Sequence, residues 1–281
     1  MNRLAEHLAL LNGTPWLDVE ASSRCNVSCR MCPRHRLSRG RGILTPTTFE
    51  ALLGWLPPTC SLMFSGFGEP LLNPWLPDYL RALHERGGVT TGVTTNGTRL
   101  LTPLGREVLE SGPHWLQVSL HSADPARAEA IMSGARFDEV MRGLELASNI
   151  LPSTTTRRIT AVLEDEREVE GLQNLANSLG WELFVRHTHS RAGALRTCSA
   201  SDTSGCGIFA KVHFVTWKGE LLACCQDLTG STRMGTLWSH RFQNLVQLKR
   251  KTIVEGLWPD LCASCDDEYR TILLDEVLTC L

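Results

Sequence analysis

The sequence predicts an α/β fold built on a parallel sheet, followed by a small C-terminal region of different character. Three observations predict it. Short β-rich runs recur six times between residues 16 and 186. A helical pattern separates each run from the next, which calls for parallel strands joined by right-handed crossovers. After about Arg191 the alternation stops: Gly193, Ser199, Ser201, Ser204, Gly205 and Gly207 mark a loop, and only a hairpin and one helix follow.

The elements can be justified in order. Residues 16–21 (Trp-Leu-Asp-Val-Glu-Ala) alternate in strand fashion. Thr45-Pro46 opens a helix, a capping residue followed by proline in the first turn, with Phe49, Leu52, Leu53 and Leu56 on one face. Residues 61–65 read as the second strand, 77–86 as a helix, and 89–94 as the third strand, closed by Asn96-Gly97. Residues 103–110 are helical, 115–120 form the fourth strand, and 125–150 hold two helices around Gly134. The fifth strand is 159–163, the next helix 169–179, and the sixth strand 182–186. Residues 211–217, the turn Lys218-Gly219 and residues 220–224 read as a hairpin, and 242–249 as a helix. The expected division is 10–190 and 200–281. The second part is too small for a core of its own, and such regions often lean on metal.

Composition narrows the function. The 281 residues are 42% hydrophobic and 21% charged, with formal net charge −2. That balance carries no electrostatic footprint for nucleic acid or an anionic membrane. No apolar run reaches the roughly 18 residues of a membrane helix, and the first residues lack a signal-peptide core. The expectation is a cytoplasmic protein. Its eleven cysteines are then metal ligands or thiols rather than disulfides.

The chemistry is concentrated in Arg24-Cys25-Asn26-Val27-Ser28-Cys29-Arg30-Met31-Cys32-Pro33. Cys25, Cys29 and Cys32 are spaced Cys-x3-Cys-x2-Cys. Three thiolates can hold three irons of a four-iron cubane, a cluster that normally takes four cysteines. The remaining iron is open to an exogenous ligand, and an open position marks a reactive site. A zinc site would need a fourth ligand nearby.

This run resembles the signature of the radical S-adenosylmethionine (SAM) enzymes. Met31 stands where the family usually has an aromatic residue, a place a soft apolar side chain can fill. The resemblance implies a partial (β/α)6 TIM-like barrel, with ligands at the C-terminal ends of the strands. It implies a [4Fe–4S] cluster on the trio whose open iron is chelated by the amino and carboxylate groups of SAM. One electron then cleaves SAM to methionine and a 5′-deoxyadenosyl radical, which abstracts a substrate hydrogen.

Other strand ends fit the same comparison. Ser65-Gly66-Phe67-Gly68-Glu69-Pro70 resembles the family's Gly-Gly-Glu-Pro motif, with Phe67 in place of the first glycine. By resemblance Gly66, Gly68, Glu69 and Pro70 receive the amino group of SAM. Asn96 sits in the loop after the third strand. Ser119 and His121 close the fourth strand and offer hydrogen bonds to ribose or carboxylate. Val162 and Leu163 end the fifth strand, where they would pack on adenine. Arg186, ending the sixth, is a candidate contact to SAM or substrate; of His187 and His189, at most one points inward.

A second set of cysteines lies near the C-terminus: Cys206, Cys224 and Cys262-Ala263-Ser264-Cys265. Four such residues can hold zinc or a second cluster. Beside the trio, the pattern resembles the twitch form of the SPASM auxiliary domain, with Cys206, Gly219 and Cys224 matching its opening. A full SPASM domain would continue with a cysteine where Thr271 stands. The resemblance therefore implies one auxiliary [4Fe–4S] cluster, held by Cys206, Cys224, Cys262 and Cys265. Cys225 is then a spare thiol, and Cys60, Cys198 and Cys280 fit neither set.

The implied activity is hydrogen abstraction from a C–H bond of a small-molecule natural product or a peptide, as a net oxidation through the auxiliary cluster. The alternatives are a maturase or epimerase of a ribosomally made peptide, or a non-catalytic iron–sulfur or zinc-binding scaffold. The implied partners are the substrate and an electron donor such as flavodoxin or ferredoxin. A peptide substrate would call for a separate leader-peptide-binding protein, because only 24 residues precede Cys25.

Overall fold

The computed structural model describes residues 3–163, 165–196 and 205–279; Cys198 and Cys280 lie outside them. In chain order the elements are α1 (Leu4–Asn12), β1 (Trp16–Glu20), β2 (Ser28–Cys29), α2 (Pro46–Trp55), β3 (Cys60–Ser65), α3 (Leu76–Arg86) and β4 (Val89–Thr95). Next come α4 (Pro103–Glu110), β5 (Trp115–Ser119), α5 (Pro125–Ile131), β6 (Met132–Ser133), α6 (Phe137–Ile150), β7 (Thr156–Leu163), α7 (Glu168–Leu179) and β8 (Glu182–His187). The chain finishes with α8 (Gly207–Lys211), β9 (Val212–Val215), β10 (Glu220–Leu222), β11 (Arg233–Thr236), α9 (Phe242–Glu255) and α10 (Tyr269–Thr279).

The predicted six-strand βα series is present as β1, β3, β4, β5, β7 and β8. Local chemistry sets several helix starts. Thr45, Thr102 and Asp124 each accept a hydrogen bond from the backbone N–H three residues on, and each is followed by proline. The chain separates into two compact units that interleave: residues 1–19, 33–61 and 189–281 form one, and 20–32 with 62–188 the other.

In the second unit the strand order is β3-β4-β5-β7-β8, and β4, β5, β7 and β8 pair in parallel. Leu62, Phe64, Val93, Leu116, Val118, Ile159 and Ala161 bury their side chains from the strands; Leu80, Leu83, Val108, Leu144 and Leu172 bury theirs from the helices. Burial of this apolar surface is the main favourable term in folding. β7 starts three residues earlier than predicted, because Thr156–Arg158 pair with Trp115–Gln117 of β5. The short β6 pairs antiparallel with β2, a contact the sequence reading did not contain.

The first unit is larger than the hairpin and helix that were predicted. Its strand order is β11-β10-β9-β1, with β9 parallel to β1 and β10 antiparallel to both neighbours. The hairpin turn closes through Gly219 N–H to Thr216 O at 2.8 Å. Leu11 of α1 joins Phe209, Ala210, Ala223 and Ile253 in one apolar cluster. Helix α9 runs six residues beyond the predicted end, to the left-handed Gly256. Among the described residues no helix is long and apolar enough to cross a membrane.

Candidate active site and thiol pocket

The trio loop is built in the second unit. Ser22 and Arg24 form a tight turn, the Ser22 hydroxyl bonding to the backbone of Arg24. The Arg24 carbonyl accepts the Glu69 N–H at 2.7 Å, and the Ala21 carbonyl accepts the Asn73 side chain at 2.9 Å. Cys29 lies in β2 opposite Met132, and Cys32 N–H bonds to Cys29 O at 3.1 Å. Val27 packs with Met132 and Ala135, and Cys25 and Cys29 lean on that cluster. All three cysteines are half-buried. Met31, the departure from the family pattern, is buried as an apolar residue.

The loop after β3 approaches this turn so closely that only glycine fits. A Cβ on Gly68 would lie 2.0 Å from the Ser22 carbonyl oxygen and 2.6 Å from that of Arg24. Pro70 is buried next to it, and Gly66 takes φ +111°. Glu69 is 1% exposed. Its carboxylate accepts from Leu71 N–H at 2.9 Å, Thr95 Oγ1 at 2.7 Å and Asn96 N–H at 2.7 Å. Burial pushes this carboxyl above its ordinary range, against the pull of those three donors. The Glu69 side chain thus orders the loops after β3 and β4.

Asn96 is the second brace. Its Nδ2 donates to Asn26 Oδ1 at 3.0 Å and lies 3.7 Å from Cys25 Sγ. Its Oδ1 accepts from Thr98, whose hydroxyl also accepts from Asn26. At the neighbouring strand ends, the Val162 N–H donates to His121 Nδ1 at 3.0 Å, so this nitrogen is the unprotonated one. Ser119 pairs with Thr160, Leu163 is buried opposite His187, and Arg186 lies half-buried on β8 opposite Val162. Trio, Gly68–Pro70 loop, Asn96, Ser119, His121, Val162 and Arg186 all belong to this one unit.

Residues 19–176, more than half of the chain, match the radical SAM superfamily. The chain belongs to the radical SAM superfamily. It is an enzyme of that class, and the matched stretch contains Cys25, Cys29 and Cys32, whose thiol donor set suits the [4Fe–4S] cluster that the family pairs with SAM. A cofactor-modifying protein for the tungsten-containing aldehyde ferredoxin oxidoreductase of Pyrococcus furiosus is 32% identical over 100 residues, 34% of this chain and 28% of that one. A GTP 3′,8-cyclase of Chlorobaculum tepidum is 28% identical over 154 residues, 53% of this chain and 45% of its own. The chain thus spans less than half the length of these relatives. Among solved structures, BtrN in complex with AdoMet and 2-DOIA superposes with TM-score 0.62 at 19% identity, covering 91% of this chain and 94% of that one. Streptococcus suis SuiB bound to its precursor peptide SuiA gives 0.65 at 16%, covering 93% and 73%. These likenesses show the shared barrel-type α/β fold.

The quartet of this radical SAM enzyme lies in the first unit, outside the matched stretch. Cys206, Cys224, Cys262 and Cys265 line one pocket together with Ile208, Phe209, Ala223 and Leu261. Cys206 caps α8, accepting the Phe209 N–H at 3.4 Å, and its own N–H donates to His7 Nε2 at 2.9 Å. The Cys224 sulfur accepts the Gln226 N–H at 3.4 Å. Burial pushes the thiols of Cys206, Cys262 and Cys265 up to about 11. A hydrogen bond with Cys225 and then burial raise Cys224 well above its ordinary value. Among the described residues no disulfide joins the cysteines, and no three His, Cys, Asp or Glu side chains converge into a preformed site for a single metal ion.

Several residues here escaped the sequence reading. Arg270 is buried and donates to the carbonyls of Cys262 (3.2 Å), Cys265 and Gly205 (3.4 Å). Asp227 accepts from the backbone of Thr229, Gly230 and Thr232 and from two threonine hydroxyls, which fixes the loop after Cys224. His7 comes from α1, 199 residues from Cys206 along the chain. The one signal available was in α9: Lys249 stands in register with Phe242, Leu245 and Ile253 on a helical apolar face.

Proposed function

We propose that this enzyme splits SAM at the Cys25, Cys29 and Cys32 loop and abstracts hydrogen from a C–H bond of a natural product or peptide, in a net two-electron oxidation. An auxiliary [4Fe–4S] cluster on Cys206, Cys224, Cys262 and Cys265 is part of this reading, and the single pocket that gathers those four thiols is the observation that carries it. When bound, the trio's cluster supplies the electron that splits SAM, and the quartet's takes up the second electron of the oxidation. Asn96 orients Cys25, and the glycine at 68 lets the backbone after β3 lie against the trio turn. Gly66, Gly68, Glu69 and Pro70 would frame the amino group of SAM; Ser119, His121, Val162, Leu163 and Arg186 would line the remainder. The match to BtrN, solved with AdoMet and 2-DOIA, over 91% of this chain and 94% of that one supports a small-molecule substrate. The match to SuiB bound to its precursor peptide supports a second reading, in which the substrate is a peptide; a separate protein would then bind its leader. Flavodoxin or ferredoxin would supply the electrons.

Anaerobic reconstitution tests the proposal. The parent should hold roughly eight irons, and a variant with Cys25, Cys29 and Cys32 changed to alanine roughly four. Product should be two mass units lighter than substrate, with no deuterium gained from heavy water. Four irons in the parent and none in the variant would refute the auxiliary cluster. A product of unchanged mass carrying one solvent deuterium would replace oxidation by epimerisation, with Cys225 and Cys198 the candidate hydrogen donors.

A further inference from the structure

Helix α9 buries a lysine completely. Lys249 is 0% exposed, and its ammonium donates to the carbonyls of Phe209 (2.8 Å) and Val212 (2.6 Å), where α8 ends. The ammonium also lies 4.9 Å from the centre of the Phe209 ring. Among the described residues it pairs with no carboxylate. A buried cation without an anion is costly, and such a group ordinarily sheds its proton. Two sulfurs of the quartet, Cys224 and Cys206, are the groups that would favour its charged form once they are thiolates, and His213 lies near it. Burial draws Lys249 down to about 7, and those two sulfurs are what oppose that pull. Cys206 is tied to it mechanically as well. Cys206 Sγ accepts the N–H of Phe209 and the Lys249 ammonium donates to the C=O of the same residue, so one residue of α8 ties sulfur to ammonium.

We infer that Lys249 is the buried counter-cation of the auxiliary cluster, a positioning residue that raises its reduction potential. This rests on the reading that the quartet holds a cluster. A cluster on four thiolates is anionic, and an added electron makes it more so. A fixed cation nearby therefore favours the reduced form. Bound thiolates are permanently deprotonated, which in turn keeps Lys249 protonated. Such a residue suits a group that must accept an electron from a substrate radical.

The test uses the variant lacking Cys25, Cys29 and Cys32, so that only the quartet reports. If that parent holds no iron, the cluster reading itself fails, and this is seen before Lys249 is touched. With about four irons present, Lys249→Met should lower the ratio of reduced to oxidised cluster at fixed potential about tenfold, or about 59 mV for a one-electron couple. Lys249→Arg, which keeps the charge, should restore most of it. Redox titration followed by electron paramagnetic resonance reads both. If Lys249→Met does not fold, Lys249→Gln keeps a donor for the carbonyls and carries the measurement. Loss of iron from both neutral variants, with iron kept in Lys249→Arg, supports the charge pairing. An unmoved potential in any neutral variant that keeps its iron overturns the inference, and so does loss of iron from all three.

Discussion

The trio loop and the quartet pocket are both made of cysteines, yet their surroundings are opposite in kind. The trio is half-buried and braced by neutral groups, the amides of Asn26 and Asn96 and the hydroxyl of Thr98, while Arg24 and Arg30 beside it are exposed. The quartet lines one pocket, Cys206 and Cys265 are buried, burial pushes the thiols of Cys206, Cys262 and Cys265 up to about 11, and the buried Arg270 lines the same pocket. The difference teaches that the number of thiols and their solvation go together. Three thiols in a partly wet loop suit a site that must admit another ligand. Four that share one largely buried pocket suit a closed site that holds what it binds.

Single added methyl groups should break the two regions separately, and these are the largest effects expected. Gly68→Ala places a carbon 2.0 Å from a backbone oxygen of the trio turn, which no side-chain motion can relieve. Iron should fall from roughly eight to roughly four, and 5′-deoxyadenosine formation should cease. Gly205→Ala would meet His7 Nε2 at 2.1 Å, in a residue with φ +148°. That displaces the acceptor of the Cys206 N–H, so the quartet should lose its iron while the trio keeps its own. Full iron in either variant would show that the close approach is not needed.

Cys262→Ala sharpens the same contrast. Electron entry depends on the trio, so some SAM cleavage should persist while substrate consumption stops. Metal ligation can contribute folding energy, so the soluble fraction is measured alongside. Undiminished turnover by a soluble Cys262→Ala protein would make the quartet dispensable.

The legibility of the two regions differs for the same physical reason. The trio was legible from its Cys-x3-Cys-x2-Cys spacing, and the Gly68–Pro70 and Asn96 loops from their likeness to family motifs; period-2 patterns placed the strands whose ends carry them. Thr45-Pro46 and the helix at 103–110 were equally plain, since caps are local. The first unit is held by long-range partners: β9 against β1, His7 against Cys206, Lys211 against the Thr14 carbonyl. No local pattern encodes those. The hairpin therefore looked like an isolated pair of strands, and α1 and α10 were not foreseen.

A smaller effect is expected at Asn96. Asn96→Ala leaves Asn26 and Thr98 short of partners and Cys25 without its nearest amide. Asn26 is exposed and Thr98 and Cys25 are half-buried, so water replaces part of the lost pairing and the cost falls on orientation rather than on stability. SAM cleavage should slow by roughly tenfold, equivalent to about 1.4 kcal/mol in the barrier. The quartet's iron should not change. A parental rate of deoxyadenosine formation would remove Asn96 from the site.

The smallest effect concerns the scaffold that carries the trio, away from the trio itself. His84 on α3 and His114 before β5 stack edge-on with ring centroids 5.1 Å apart, and both reach Thr91 at the start of β4. Burial first, and then the charge of His114, hold His84 below its ordinary value of 6.5. A histidine lowered in the folded state takes up its proton more readily when unfolded. Its contribution is therefore present above about pH 6.5 and declines as pH falls below that, because the unfolded chain then binds more protons. Thermal unfolding should show the parent losing stability between roughly pH 8 and pH 5.5, and His84→Gln losing less over the same range. Deoxyadenosine formation at roughly pH 8, where His84 is neutral, should be the same in the two proteins. Parallel acid profiles would mean that His84 is protonated in the folded state without cost. A change in SAM cleavage would mean that packing at the start of β4 is transmitted to Asn96 at its far end.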